Sequence, residues 1–199
     1  MGSCSTKLTQ NETVIDQFFG DGWLGHHLFL GSTGQGKSTT LKHFILYEIM
    51  KRKYFKEVFV FSCADNDDYN WCNPKHVFDG FNIDIFKSLH KQLKAAKDQM
   101  KAQNKEMFHT AIILDDLLSD PGIASNMLYW RNFIAKCRHL CVSLFVCTQR
   151  LKDIVSNPVF RQNIRFAWLF QPSGKDNWND AIDTFASGVP EIAKASLLV

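Results

Sequence analysis

The stretch Gly31-Ser-Thr-Gly-Gln-Gly36-Lys37-Ser38 satisfies G-x-x-x-x-G-K-[ST] in full, and a loop of that kind restricts what can flank it. It needs a buried strand before it and a helix after it. His27-Leu28-Phe29-Leu30 reads as the strand, and the residues from Thr39 to Leu46 read as the opening of the helix. Glycines let successive backbone N–H groups curl inward toward an anion, and a helix N-terminus adds partial positive charge. Gly31, Ser32, Thr33, Gly34, Gln35, Gly36, Lys37, Ser38 and Thr39 are therefore the candidate phosphate-binding residues. Lys37 is expected to reach the β- and γ-phosphates of a nucleoside triphosphate, and the Ser38 hydroxyl to complete the shell of a Mg²⁺ ion. A glycine-rich turn that binds nothing is the alternative, and the flanking strand and helix weigh against it.

A chain of 199 residues suits one substantial α/β core and is too short for two ordinary domains. Residues 1–23 read as a lead-in segment and 24–199 as the single domain. Hydrophobic content of 45% with 22% charged residues excludes wholesale disorder. The net charge of +3 permits contact with nucleic acid without arguing for it, because a local patch matters more than the sum. No run approaches the ~18–20 apolar residues of a membrane span, and no secretory signal is visible. Cys4, Cys63, Cys72, Cys137, Cys141 and Cys147 show no C-x-x-C spacing. They read as free, buried thiols rather than metal ligands, although Cys137 and Cys141 flank His139. Met1-Gly2-Ser3-Cys4-Ser5-Thr6 fits an acylation pattern that would allow membrane contact; a disordered tail or a remnant of cloning is the plainer reading. The end at Ala195–Val199 carries no obvious cap, which suggests truncation.

Further along, Glu57–Ser62 reads as a second buried strand and 63–82 as a polar loop anchored by Trp71 and Phe78. Helical periodicity runs from Ile85 to Glu106, with Phe86, Leu89, Leu93, Ala96 and Met100 on one arc. Lys87, Lys91, Lys94, Lys97, Lys101 and Lys105 fall on a neighbouring arc. That stripe is a solvated face or a contact for a phosphate backbone or an acidic partner. The run Ala111–Leu114 ends in Asp115-Asp116; a helix over Ser125–Arg138 precedes a strand over Cys141–Gln149, whose polar tip is Thr148-Gln149-Arg150. Arg165–Phe170 reads as a last strand, with a helix following through Phe185. Continuous apolar strands alternating with helices predict an α/β fold, a mostly parallel sheet with helices on both faces.

Asp115 is expected at the carboxyl end of a strand lying beside the phosphate-loop strand, where it would hold Mg²⁺ through the metal's water shell. Asp116, one residue on, can take a proton from an attacking water or orient it. The Gln149 amide carries both donor and acceptor, so it can sense a γ-phosphate or hold that water.

Taken together, GSTGQGKST, the strand IILDDL and the segment CRHLCVSLFVCTQR resemble the FtsK–HerA superfamily of DNA-pumping ATPases, closest to its viral, poxvirus-type genome-packaging branch. The resemblance covers roughly residues 24 to 171. It implies a P-loop NTPase with a RecA-like sheet that hydrolyses ATP to translocate double-stranded DNA into a preformed capsid. It also implies a ring of five or six subunits, a capsid or portal-vertex partner, and a place at the viral assembly site in the host cytoplasm and in the virion. Carried onto this chain, it implies Lys37 and Ser38 for phosphates and metal, Asp115 for the metal, and Gln149 as γ-phosphate sensor. Asp116 stands where the family usually has Glu. An arginine finger from the neighbouring subunit is implied as well, with Arg138 the first candidate and Arg131, Arg161 and Arg165 behind it. Two other readings stay open: an ATP-dependent assembly switch with little turnover, and a small nucleoside or nucleotide kinase. Against the kinase, such enzymes usually carry an arginine-rich lid, and Arg150–Arg161 is only modestly basic.

Overall fold

Apolar runs with no polar alternation, buried on both faces, form the middle of one parallel sheet, and half-buried strands form its two edges. In chain order the strands are β1 (His26–Leu30), β2 (Phe55–Ser62), β3 (Val77–Asp79), β4 (His109–Asp115), β5 (Val142–Thr148) and β6 (Ile164–Leu169). The computed structural model describes residues 25–50, 54–63, 69–117, 120–151, 158–171, 179–181 and 183–184. The lead-in segment and the acylation pattern lie outside these residues. Of the helix expected through Phe185, 179–181 and 183–184 are helical.

The sheet order is β3-β2-β4-β5-β1-β6, and every pairing is parallel. Two expectations are corrected by it. β4, which carries Asp115, is not beside the phosphate-loop strand: β5 lies between them, paired to β1 on one side and to β4 on the other. Strand order depends on which crossovers skip a position, and no local pattern records that. The expected loop over 63–82 also contains a strand. Val77–Asp79 adds an edge to β2, after a turn at Pro74–His76 capped by the Asn73 side chain. Three residues are too few for any periodicity to show.

Helix α1 (Lys37–Met50) starts directly from the glycine loop, with Thr40 N–H donating to Gly36 O as its first bond. Helix α2 (Ile83–Ala102) is started by Asn82, whose side chain accepts from the N–H groups of Asp84 and Ile85. It stops short of the expected Glu106, where Asn104 takes a left-handed φ of 52°. Asp120 caps the short α3 (Pro121–Ser125), which α4 (Met127–Cys137) and α5 (Pro158–Asn163) follow.

Strand residues alternate between two cores. On one face Leu28, Phe61, Ile112, Leu114 and Leu144 meet Phe86, Leu89 and Leu93 of α2, Trp130 and Phe133 of α4, and Phe160 of α5. On the other, Phe29, Val60, Ile113 and Phe145 meet Leu41 and Ile45 of α1. Burying each large side chain stabilises the fold by about 1.5–3 kcal/mol, so the sheet is held rigidly from both sides. Of the lysine stripe, Lys87, Lys91, Lys94 and Lys101 on α2 and Lys105 beyond it are exposed, with Lys97 partly covered. Cys72, Cys137 and Cys147 are buried thiols, Cys141 is half-buried, and Cys63 is exposed. Among the described residues no helix is long and apolar enough to cross a membrane.

Candidate functional site

Because all six strands run the same way, their carboxyl ends share one rim, and the glycine loop leaves β1 there. Gly34 and Gly36 have φ of 77° and 85°, a region that side chains with a Cβ rarely adopt. Gly31 is required for another reason. A Cβ there would stand 2.5 Å from Cβ of Phe170, where the chain leaving β6 crosses the loop and Gln171 O accepts from Ser32 N–H. The first turn of α1 holds no acidic residue, so its free N–H groups and positive dipole end are left for an anion.

Lys37 is only 7% exposed and donates from Nζ to Ser32 O at 2.8 Å. A buried ammonium demands compensating negative charge, and the cavity beside it is about 490 Å³, the size range of a small-ligand site. The loop residues Thr33, Gly34, Gly36, Lys37 and Ser38 form one wall. Asp115, Asp116 and Gln149 line the cavity as well, together with Thr39, Lys42 and His43 of α1.

The strand register sets the polar tips. Asp115 is level with Cys147, and Asp116 N–H donates to Cys147 O just past the end of β4. Asp116 is exposed and left-handed, φ 53°. Its Oδ2 accepts from Gln149 Nε2 at 2.6 Å, while Gln149 Oε1 accepts from Thr33 Oγ1 at 2.9 Å. Gln149 therefore bridges the glycine loop to the second aspartate, using its donor on one side and its acceptor on the other.

Asp115 lies deeper, 5% exposed. Its Oδ2 accepts from Ser38 Oγ at 3.4 Å and from Tyr69 Oη at 2.6 Å. Burial pushes the Asp115 carboxyl above its ordinary range; the Tyr69 hydrogen bond and the charge of Lys37 oppose that push, and the nearby Asp116 charge adds to it. A hydroxyl and a carboxylate brought together in this way are hard oxygen donors of the kind Mg²⁺ takes, so the residues fit that ion.

Of the sequence-predicted residues, the rim brings together Thr33, Gly34, Gly36, Lys37, Ser38, Thr39, Asp115, Asp116 and Gln149 around one cavity. Gly31, Ser32 and Gln35 belong to the same loop but do not line the cavity; Gly31 is buried, Ser32 half-buried and Gln35 exposed. Arg138 is elsewhere. It stands in the turn before the amino end of β5, and seven strand residues at about 3.3 Å each put it roughly 20 Å from the rim. Arg161 and Arg165 sit at the amino end of β6, again on the far rim, and Arg131 lies within α4 with a buried, unpartnered Nε. Sequence reasoning missed Tyr69, Lys42 and His43. Lys42 and His43 follow from helical spacing after Thr39, but nothing local marks Tyr69.

Fold and site together define a P-loop ATPase domain. The family model described as Poxvirus A32 protein matches residues 26–177, and the chain belongs to that family. No curated protein sequence matches the chain. Among solved structures, the cytoplasmic domain of EssC is similar at TM-score 0.62 and 14% identity, covering 80% of this chain and 35% of that one. EssC (ATPases 2 and 3) from Geobacillus thermodenitrificans gives 0.60 and 14%, covering 79% and 34%. The genome packaging NTPase B204 from Sulfolobus turreted icosahedral virus 2, in complex with AMPPCP, gives 0.51 and 16%, covering 82% of each chain. At these identities the likeness is one of fold. The chain spans about a third of the length of the EssC chains it matches.

Proposed function

We propose that this chain hydrolyses ATP to move double-stranded DNA, packaging a viral genome into a capsid. The observation that carries the reading is the Thr33–Gln149–Asp116 bridge, because it links the phosphate cradle to a carboxylate on another strand. The backbone N–H groups of the glycine loop and the buried Lys37 ammonium bind the phosphate chain, and Thr39 meets it at the head of α1. Ser38 and Asp115 would hold Mg²⁺, which when bound neutralises charge on the β- and γ-oxygens. Asp116 accepts the proton of the attacking water, and Gln149 orients that water against the γ-phosphoryl group.

The chain's own rim supplies Lys37 but no arginine from the candidate set. A ring is built from heterologous contacts, in which one face of a subunit meets a different face of its neighbour. Arg138 on the opposite rim is therefore free to serve a neighbour's site, at a gain of about 10³–10⁵ in rate, and hydrolysis is tied to assembly in a ring of five or six subunits. DNA is held by its phosphates, independently of sequence. The exposed lysines of α2 offer such a contact, and among the described residues none of them is ion-paired to a carboxylate. A capsid or portal-vertex protein is the docking partner, at the viral assembly site in the host cytoplasm and in the virion.

The test is phosphate release from ATP with and without duplex DNA, repeated with nucleosides as acceptors. Stimulation by DNA is expected. Phosphate appearing on an added nucleoside would make the protein a kinase, and no turnover under any condition would make it an assembly switch.

A further inference from the structure

Tyr69 belongs to no motif, yet it is 2% exposed and makes the shortest contact to the deepest carboxylate of the site, 2.6 Å from Oη to Asp115 Oδ2. It stands on the connection after β2, the neighbour of β4. Its ring packs into the α1-side core, with the Trp71 ring centroid 6.2 Å away.

An ionised carboxylate only accepts hydrogen bonds, and a buried one with a fixed donor cannot turn without leaving that donor unpaired. Ser38 Oγ reaches the same Oδ2 at 3.4 Å, a long bond that would not hold the group alone. Groups one step behind a metal ligand set its orientation in this way. We propose that Tyr69 is a positioning residue that fixes the Asp115 carboxylate for the divalent cation accompanying the nucleotide. The inference rests on the nucleotide-site reading above and adds a residue from a third strand connection to it.

The test uses the full chain with Tyr69→Phe, which keeps the packed ring and removes only the hydroxyl. Mn²⁺ is titrated into protein saturated with ATPγS, with free Mn²⁺ read by electron paramagnetic resonance. Binding of a fluorescent ATP analogue is measured separately in EDTA. The expected result is Mn²⁺ affinity lowered about tenfold, the scale of loss for such orienting groups, with metal-free nucleotide affinity unchanged. In an Asp115→Asn background the same change is expected to move Mn²⁺ affinity less than twofold, because the carboxylate it orients is gone. Mn²⁺ affinity within twofold of wild type in the single variant would overturn the proposal. Equal losses with and without metal would overturn it too, assigning Tyr69 to packing alone. Wild-type protein that binds no nucleotide under either condition would remove the nucleotide site itself, and this role with it.

Discussion

Replacing Asp116 by Asn tests the chemistry of the site with the least structural disturbance the fold allows. Asp116 has φ 53°, and the left-handed region costs most side chains about 1–2 kcal/mol, whereas Asn and Asp enter it through local hydrogen bonding. Asn therefore seats without a backbone penalty. Its carbonyl oxygen can still accept from Gln149 Nε2, which now stands 2.6 Å from Oδ2, so the bridge to Thr33 is kept. What disappears is the negative charge and the ability to take a proton. Weakening a charge-assisted hydrogen bond to a neutral one is worth about 1 kcal/mol, which misplaces Gln149 enough for roughly a fivefold to tenfold effect. A lost general base is worth about 10²–10⁴ in rate, or roughly 3–5 kcal/mol of barrier.

Those two ranges do not overlap, so one measurement separates them. Steady-state phosphate release at saturating ATP should fall by at least about 100-fold in Asp116→Asn, with equilibrium nucleotide binding unchanged. Asp116→Ala should show the same kinetic loss and, in addition, unfold more easily by about 1–2 kcal/mol. An Asn variant that hydrolyses within tenfold of wild type would refute the proton-accepting role, and Asp116 would be left as a strut for Gln149.

His26 predicts a pH dependence of stability. It is 5% exposed, its Nδ1 accepts from Leu144 N–H at 3.4 Å, and Nε2 faces Ile134 O at 3.4 Å. Burial lowers its pKa to about 4, against 6.5 when unhindered. A depressed value means the fold favours the neutral ring, so this contribution is whole above pH ~6.5 and is lost as pH falls toward ~4. The shift amounts to about 3 kcal/mol, and His26→Gln should unfold in urea with a flatter pH profile across that window; parallel profiles would refute it. Lys37→Ala should abolish nucleotide binding or turnover, and retention of both would remove Lys37 from the phosphate site. Arg138→Ala mixed with Asp116→Asn should recover ATPase activity if the finger acts between subunits; no recovery at any ratio counts against it. Charge reversal of Lys91, Lys94 and Lys101 should lower the slope of log affinity for duplex DNA against log salt by up to ~3, and an unchanged slope would return the stripe to solvent.

How far the sequence reaches is clearest at the β1–β5–β4 centre of the sheet. Each of these strands is legible as an apolar run, because a strand covered on both faces has no polar alternation to blur it, and Lys37, Ser38, Asp115 and Gln149 are legible because their spacing obeys phosphate chemistry. The order of the strands is not legible, and the site depends on it. With β5 inserted, β1 and β4 stand two strand spacings apart, about 10 Å. That gap is filled at the rim by Gln149, which follows Thr148 of β5 in step with the start of the glycine loop and is bonded to both the loop and Asp116. Had β4 lain beside β1, as the motifs alone suggest, Gln149 would stand outside the pair with nothing to bridge. Tyr69 is hidden for the same reason. It reaches Asp115 because β2 is the far neighbour of β4, a relation that exists only in the assembled sheet. The residues proposed to carry the chemistry are thus written locally, whereas those that hold them in register are products of topology.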